Sequence, residues 1–148
     1  LYTREYYELT KQALKPGGIV SQWIPLHSQS EIHVYQNFRT FLESFPYAIA
    51  WYPVENELIL IGSNQPIKID FQSIEQRLQN PVTKKIMSNI DFGTPYSFLG
   101  GIWYLKNELK SMGSGKPIIS DNNPSLEFFL NDTIMINDDG ITEIIESR

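Results

Sequence analysis

The amino-acid sequence predicts an α/β fold in which helices flank a mixed sheet that contains an antiparallel hairpin. The first observation is a helical pattern that stops at Pro16-Gly17-Gly18, where a β-branched apolar run begins at once. Proline cannot continue a helix, and glycine accepts the left-handed turn that follows one. The second observation is the helical spacing of apolar residues over 31–45. The third is a short link between two later apolar runs, which fits only an antiparallel return.

The chain opens with a predicted helix that leads into a predicted strand. Thr3 suits the N-cap and Glu5 the first turn, and the apolar stripe consists of Tyr2, Tyr6, Leu9 and Ala13. The apolar run closed by Pro25 is too short for a free helix, and we expect it to be buried on both faces, as in a parallel sheet. Its carboxyl end, Gln22-Trp23-Ile24-Pro25, would border a ligand crevice.

A second helix and a hairpin follow. Ser30 and Glu31 begin the helix, Pro46 ends it, and its apolar positions are Ile32, Val34, Tyr35, Phe38, Phe41, Leu42 and Phe45. The runs 48–52 and 57–62 read as strands. Only four residues lie between these two runs, whereas a parallel return needs about a dozen. An antiparallel hairpin is therefore predicted.

The remainder predicts shorter elements. Helices are expected over 71–79, over 82–90 and over 104–112, the last stopped by Gly113-Ser114-Gly115. A final helical turn at 124–129 and a hairpin at 133–145, with its turn at Asn137-Asp138-Asp139-Gly140, complete the prediction.

Composition limits the function classes. The 148 residues suit one domain, and the absence of cysteine excludes disulfides, thiolate metal sites and cysteine nucleophiles. A net charge of -5 argues against a nucleic-acid partner. No apolar run reaches the roughly 20 residues of a membrane-spanning helix. The chain begins with Leu1 inside a helical pattern, which suggests a piece of a longer parent.

Two sets of residues suggest a binding site at first sight but lack the spacing that such a site requires. Gly113-Ser114-Gly115-Lys116 lacks the spacing of a phosphate loop, because Lys110 and Pro117 occupy its required positions, and a helix end is favoured. His27 and His33 lack the paired spacing of a zinc site. We interpret both histidines as polar surface residues and predict no metal.

Gln22 is the most informative candidate site residue. It is a lone amide in an apolar strand, and a buried amide needs partners, which either the backbone or a ligand can supply. Trp23, Tyr52 and Trp103 lie near predicted strand ends or loops, where each can line a pocket or simply pack.

Several segments in the same order resemble the later half of the spermidine synthase family. They include Leu14-Lys15-Pro16-Gly17-Gly18 and Gln22-Trp23-Ile24-Pro25-Leu26; further ones are 1–7, 41–46, 58–63 and 120–128. The likeness is closest to bacterial spermidine-synthase-like proteins, including those fused to membrane transporter segments. It covers about 1–130, so 131–148 forms a separate hairpin extension. The sequence departs from the family at Asn122 and Asn123, where charge is lost.

The resemblance implies the C-terminal half of a Rossmann-like class I methyltransferase fold. It also implies aminopropyl transfer from decarboxylated S-adenosylmethionine, the cosubstrate, to a polyamine acceptor. Gln22 and, with a gap, Tyr52 match residues of the amine pocket, whose wall Trp23 would extend. The family's nucleotide-binding and catalytic residues lie upstream of Leu1, so the isolated chain is expected to be inactive. A cytoplasmic location is implied, with membrane attachment of the parent through a fused transporter segment.

The resemblance also implies partners. The family's fourth strand would lie beside 19–24, so this segment is expected to be an edge that recruits another strand. Candidates are the arm 141–145, a second copy of the chain, or the missing N-terminal half. Two other functions stay open: a non-catalytic interaction or ligand-sensing module, and a methyltransferase that uses S-adenosylmethionine. An acidic active-site loop before Leu1 would favour an enzyme.

Overall fold

The computed structural model describes residues 2–27, 29–105, 107, 110–111 and 113–123. The elements in chain order are α1 (Arg4–Ala13), β1 (Ile19–Pro25), α2 (Glu31–Ser44), β2 (Tyr47–Val54), β3 (Glu57–Ser63), α3 (Phe71–Gln79), α4 (Pro81–Ser88), α5 (Pro95–Gly100) and β4 (Ile102–Leu105). The coarse prediction of helices flanking a sheet is confirmed. The predicted mixed sheet is not seen among the described residues, because each pair of neighbouring strands is antiparallel. The predicted turn at 124–129, the hairpin at 133–145 and the boundary after 130 lie outside the described residues.

The four strands form one sheet in the order β1-β3-β2-β4. Each neighbouring pair is antiparallel, so β1 and β2 run parallel to each other with β3 between them. The hairpin prediction is confirmed, with Glu55 and Asn56 at its turn, and Asn56 takes a φ of 64°. Within the described residues, β1 has a strand on one side only and is an edge.

The first helix forms as its sequence predicts. The side chain of Thr3 accepts a hydrogen bond from the backbone N–H of Tyr6, which satisfies one free donor of the first turn. Gly17, with a φ of 72°, makes the turn that sends the chain from α1 into β1. Because α1 ends where β1 begins, the start of α1 lies near the carboxyl end of β1.

One face of the sheet is closed by α1 and α2. Tyr7 contributes from α1, and alternate strand residues meet the aromatic side chains of α2; the fully buried members include Ile24, Phe38, Phe41, Phe45, Ala50 and Leu60. Gly62 lies directly beneath these rings. A Cβ there would come within 2.7 Å of Phe45 and 2.8 Å of Phe41, so only glycine allows this packing.

The opposite face is covered over β2 but open over β1. The ring of Trp51 packs against Phe92 and Phe98, and its indole N–H donates to the carbonyl of Phe98 at 2.8 Å. Ile19 and Trp23, in contrast, are 58% and 50% exposed. The prediction that β1 is buried on both faces is therefore wrong, because α1 and α2 cover only one face and Phe92 and α5 lie against β2.

Other departures concern helices. Tyr104 and Leu105 lie in β4, although 107, 110 and 111 are helical. The run 102–105 is aromatic and β-branched, and pairing with the free side of β2 decides its conformation. α5 was not predicted, although Thr94 and Pro95 are start signals and Thr94 forms a capping box with Ser97.

The buried face of α2 also differs from the predicted one at the start of the helix. Ile32 is 47% exposed, whereas His33 is 8% exposed, so His33 is not a surface residue. The apolar residues at helical spacing on α4 form a row that faces outward, since Val82 and Ile86 are more than half exposed.

Candidate functional site

The candidate site lies at the carboxyl end of β1, where the strand meets the turn of the β2–β3 hairpin. Pro25 is opposite Glu57 in the sheet, and the N–H of Leu26 donates to the carbonyl of Asn56 at 2.9 Å. This is the edge at which the sequence predicts a ligand crevice. The prediction placed Gln22, Trp23 and Tyr52 there.

The sheet distributes these three residues over both of its faces. Gln22 and Tyr52 lie on the face that α1 and α2 cover, and both are half-buried. Trp23 projects from the opposite face, because successive residues of a strand alternate. Gln22 and Tyr52 are also separated from each other by β3. The structure therefore does not bring the three residues into one pocket.

The amide of Gln22 has a protein partner. Its Nε2 donates to the carbonyl of Trp23 at 3.1 Å, and the hydroxyl of Tyr2 donates to the same oxygen at 3.3 Å. Burial raises the pKa of the Tyr2 hydroxyl, which keeps it a neutral donor. Of the two roles left open for Gln22, backbone satisfaction is the one for which the geometry provides a contact.

Tyr52 supports the hairpin turn. Its hydroxyl oxygen accepts a hydrogen bond from the backbone N–H of Asn56 at 2.9 Å. This contact satisfies a donor in the turn, where Asn56 has its left-handed conformation. The hydroxyl is thereby committed to the turn. Trp103, the remaining sequence candidate, lies in β4.

A group that the sequence did not indicate surrounds Trp23 on the open face. The carboxylate of Glu57 accepts a hydrogen bond from the indole N–H of Trp23, and its other oxygen lies 3.7 Å from Nδ1 of His27. The side chain of Glu57 is 29% exposed and that of His27 50%. Glu57 was overlooked because only the register of β1 on β3 places it next to Trp23.

The first turn of α1 anchors a second loop near this end of the sheet. The N–H of Arg4 donates to the carbonyl of Ile119 at 2.9 Å, and the N–H of Asp121 donates to Oε2 of Glu5 at 3.0 Å. Hydrogen bonds from the Glu5 and Asp121 backbones lower the pKa of the Glu5 carboxyl. The residues at which the sequence departs from the spermidine synthase pattern, Asn122 and Asn123, are exposed in this loop.

The glycine-rich segment forms a turn against α2. Gly115 has a φ of 75°, and a Cβ on Gly113 would approach the backbone of Arg39 to 3.2 Å. The adjacent pocket of about 430 Å³ is lined by Arg39 and Lys110, but also by Glu43, which pairs with Arg39 at 3.2 Å. Within the described residues, no group of three or more His, Cys, Asp or Glu side chains is placed to hold a metal ion.

Comparisons of the chain with protein-family models, with curated proteins and with solved structures found no match. Among the described residues, no helix combines the length and the apolar character needed to cross a membrane.

Proposed function

We propose that the chain is the C-terminal part of a spermidine-synthase-like aminopropyltransferase unit, and that its open sheet face contributes a binding site for the amine acceptor. Glu57 would hold a protonated amine of the acceptor beside the ring of Trp23. The observation that carries this proposal is the placement of a carboxylate, an indole and an imidazole together at the carboxyl end of β1.

The strand order supports the proposal. Along the chain, β1 is followed by α2 and β2, and β3 then inserts antiparallel between β1 and β2. This is the order expected for the end of the methyltransferase-like fold that the sequence resembles. In open α/β sheets, ligands bind outside the carboxyl ends of the strands. Glu57 and Trp23 lie at that end of β1.

The chemistry of the site suits a cation. A carboxylate attracts an ammonium group, and an indole face adds a cation–π contribution of about 0.5–1 kcal/mol at an exposed site. One oxygen of Glu57 accepts from Trp23, which orients the carboxylate, and the other faces His27 without a close hydrogen bond. That second oxygen is available to an amine donor.

In the proposed transfer, an acceptor nitrogen attacks the carbon bonded to a sulfonium sulfur. The C–N bond forms, the C–S bond breaks to leave a neutral thioether, and the attacking amine must lose a proton. The described residues would bind and orient the amine. By the resemblance, nucleotide binding and proton removal belong upstream, so we expect the chain alone to transfer no aminopropyl group.

Calorimetric titration with a short diamine such as putrescine tests the acceptor site. We expect Glu57→Gln to weaken binding about tenfold or more, because a charge-assisted hydrogen bond contributes about 1.5–3 kcal/mol. Glu55→Gln is the matched control, since Glu55 is exposed on the same turn and the change removes the same charge. Equal weakening by both variants would show a general charge effect, and no binding by the unmodified chain would contradict the site.

A second candidate is a non-catalytic interaction module. It is favoured by the outward apolar row on α4, where Val82 and Ile86 are 67% and 58% exposed. Tyr96, on α5, is 78% exposed. Failure of diamine binding with retained folding would favour this candidate.

A further inference from the structure

The pocket of about 430 Å³ beside α2 is bounded on one side by the turn of Gly113, Ser114 and Gly115. Its volume falls in the range of about 300–1,000 Å³ that is usual for small-molecule pockets. Gly113 holds the turn against the helix, because a Cβ there would lie 3.1–3.2 Å from atoms of Arg39. Gly115 completes the turn with a φ of 75°. The two glycines thus place the turn and Arg39 side by side in the wall of one cavity.

The charged groups around this pocket favour an anion. Arg39 and Lys110 line it with two positive charges, and Glu43 lines it with one negative charge. Lys116, which follows the turn, places its ammonium 5.7 Å from the ring centre of Tyr35, one helical turn before Arg39. Neither of these two lysines is paired with a carboxylate among the described residues. The excess of positive charge is local, since the whole chain has a net charge of -5.

Glu43 orients Arg39 and leaves its outer nitrogens for a ligand. The Nε–H of Arg39 donates to Oε1 of Glu43 at 3.2 Å, which orients the guanidinium plane. The two terminal nitrogens carry the other N–H donors, and within the part of the chain that the structure describes no side chain accepts from them. Such a planar pair of donors matches the two oxygens of a carboxylate. The side chain of Arg39 is 32% exposed, so a ligand can reach it.

We propose that this pocket binds a small monocarboxylate with a short hydrocarbon chain. The carboxylate lies between Arg39 and Lys110, and the hydrocarbon packs on Leu42, which is 6% exposed. Glu43 selects for a single negative charge, because its own carboxylate repels a doubly charged anion more strongly. Polyphosphates are disfavoured for a second reason, since Pro117 provides no hydroxyl for their magnesium ion. The inference is independent of the proposed function, whose site lies at the carboxyl end of β1.

Titration with butyrate at neutral pH and constant ionic strength, followed by ¹H–¹⁵N NMR, tests the pocket. The backbone amide signals of Gly113 and Gly115 report on the turn. Acetate, which lacks the longer hydrocarbon chain, and sulfate, which carries two negative charges, are the comparison anions. We expect saturable shifts with butyrate, weaker binding of acetate and the weakest binding of sulfate. Absence of a saturable shift with butyrate, or tighter binding of sulfate than of butyrate, overturns the proposal.

Variants of Arg39 separate a specific site from general attraction of anions. Arg39→Gln should weaken butyrate binding about tenfold or more, because hydrogen bonds to a charged group are lost. Arg39→Lys keeps the charge but loses the planar pair of donors, so we expect an intermediate loss. Lys84→Gln is the matched control, since Lys84 is exposed on α4 and the change removes the same charge. Equal weakening by Arg39→Gln and Lys84→Gln overturns the proposal, because it indicates a general charge effect.

Glu43→Gln tests the selection by charge. Without this carboxylate, the affinity for sulfate should rise several-fold relative to that for butyrate. An unchanged ratio of the two affinities overturns the role assigned to Glu43. Circular dichroism checks that each variant is folded, which we expect because an exposed ion pair between residues four apart on a helix contributes little to stability.

Discussion

The two faces of the sheet are built from the same strands and differ in almost every physical respect. On the face covered by α1 and α2, Leu58 and Leu60 are at most 1% exposed. On the other face, Trp23 and Ile19 of β1 are half exposed or more, and His27 lies 3.7 Å from the carboxylate of Glu57 nearby. Adjacent residues of one strand thus belong to a closed core and to an open surface. The difference shows that the covering helices, and not the strands, decide what is buried.

The largest expected effect comes from opening the closed face. Phe41→Ala should lower the free energy of unfolding by about 3–5 kcal/mol, because it leaves a cavity among fully buried rings. Trp23→Ala, an equally drastic truncation on the open face, should lower it by about 1 kcal/mol or less. Urea unfolding followed by circular dichroism measures both. Similar losses for the two variants would contradict the comparison.

A glycine pair tests the covered part of the second face. A Cβ at Gly101 would lie 2.5 Å from Nε1 of Trp51, whereas a Cβ at Gly100 meets nothing within 4 Å. Gly101→Ala should therefore cost about 1–3 kcal/mol of stability by overpacking the indole. Gly100→Ala should be neutral or stabilise by up to about 1 kcal/mol. Equal effects would show that Trp51 is not packed as described.

Gln22 sharpens the comparison from the covered face of β1. Gln22→Leu should cost about 0.5–1.5 kcal/mol, because it removes one donor from the Trp23 carbonyl. Tyr2→Phe removes the other donor, and the double variant should cost more than the sum, since the carbonyl then has neither. Diamine affinity should not change in Gln22→Leu. A lower affinity with unchanged stability would instead assign Gln22 to the ligand.

The smallest effect concerns acid stability. Hydrogen bonds from its own backbone and from that of Asp121 hold the pKa of Glu5 below its ordinary value of 4.5. A depressed folded-state pKa stabilises the fold above the unfolded value, and this contribution is lost as the pH falls through the folded one. Glu5→Gln should therefore flatten the loss of stability below about pH 4.5. An unchanged acid profile would mean that the contact to Asp121 does not persist in solution.

The sequence predicted those helix ends and turns that are determined by residues close together in the chain. The cap at Thr3, the stop at Pro16 and the short hairpin link are read directly from neighbouring residues, and the structure confirms them. The strand at 102–105 could not be separated from a helix, because its conformation depends on pairing with β2.

The candidate site was less predictable than the fold. Placing Glu57 beside Trp23 requires the register of β1 on β3, which joins residues 34 positions apart. The burial of β1 on both faces was expected from its apolar composition. Composition alone cannot tell which face of a strand the helices will cover. It therefore did not predict that Gln22 lies on the covered face and Trp23 on the open one.

The most direct test of the account follows a diamine titration by ¹H–¹⁵N NMR, with the Trp23 indole N–H and the Gln22 side-chain amide observed in one spectrum. The two groups lie on opposite faces of the same strand, and Trp23→Phe identifies the indole signal among those of the three tryptophans. We predict a saturable shift of the Trp23 indole signal, with the Gln22 amide unchanged. A shift of the Gln22 amide with a stationary Trp23 signal would place the ligand on the closed face and contradict the account.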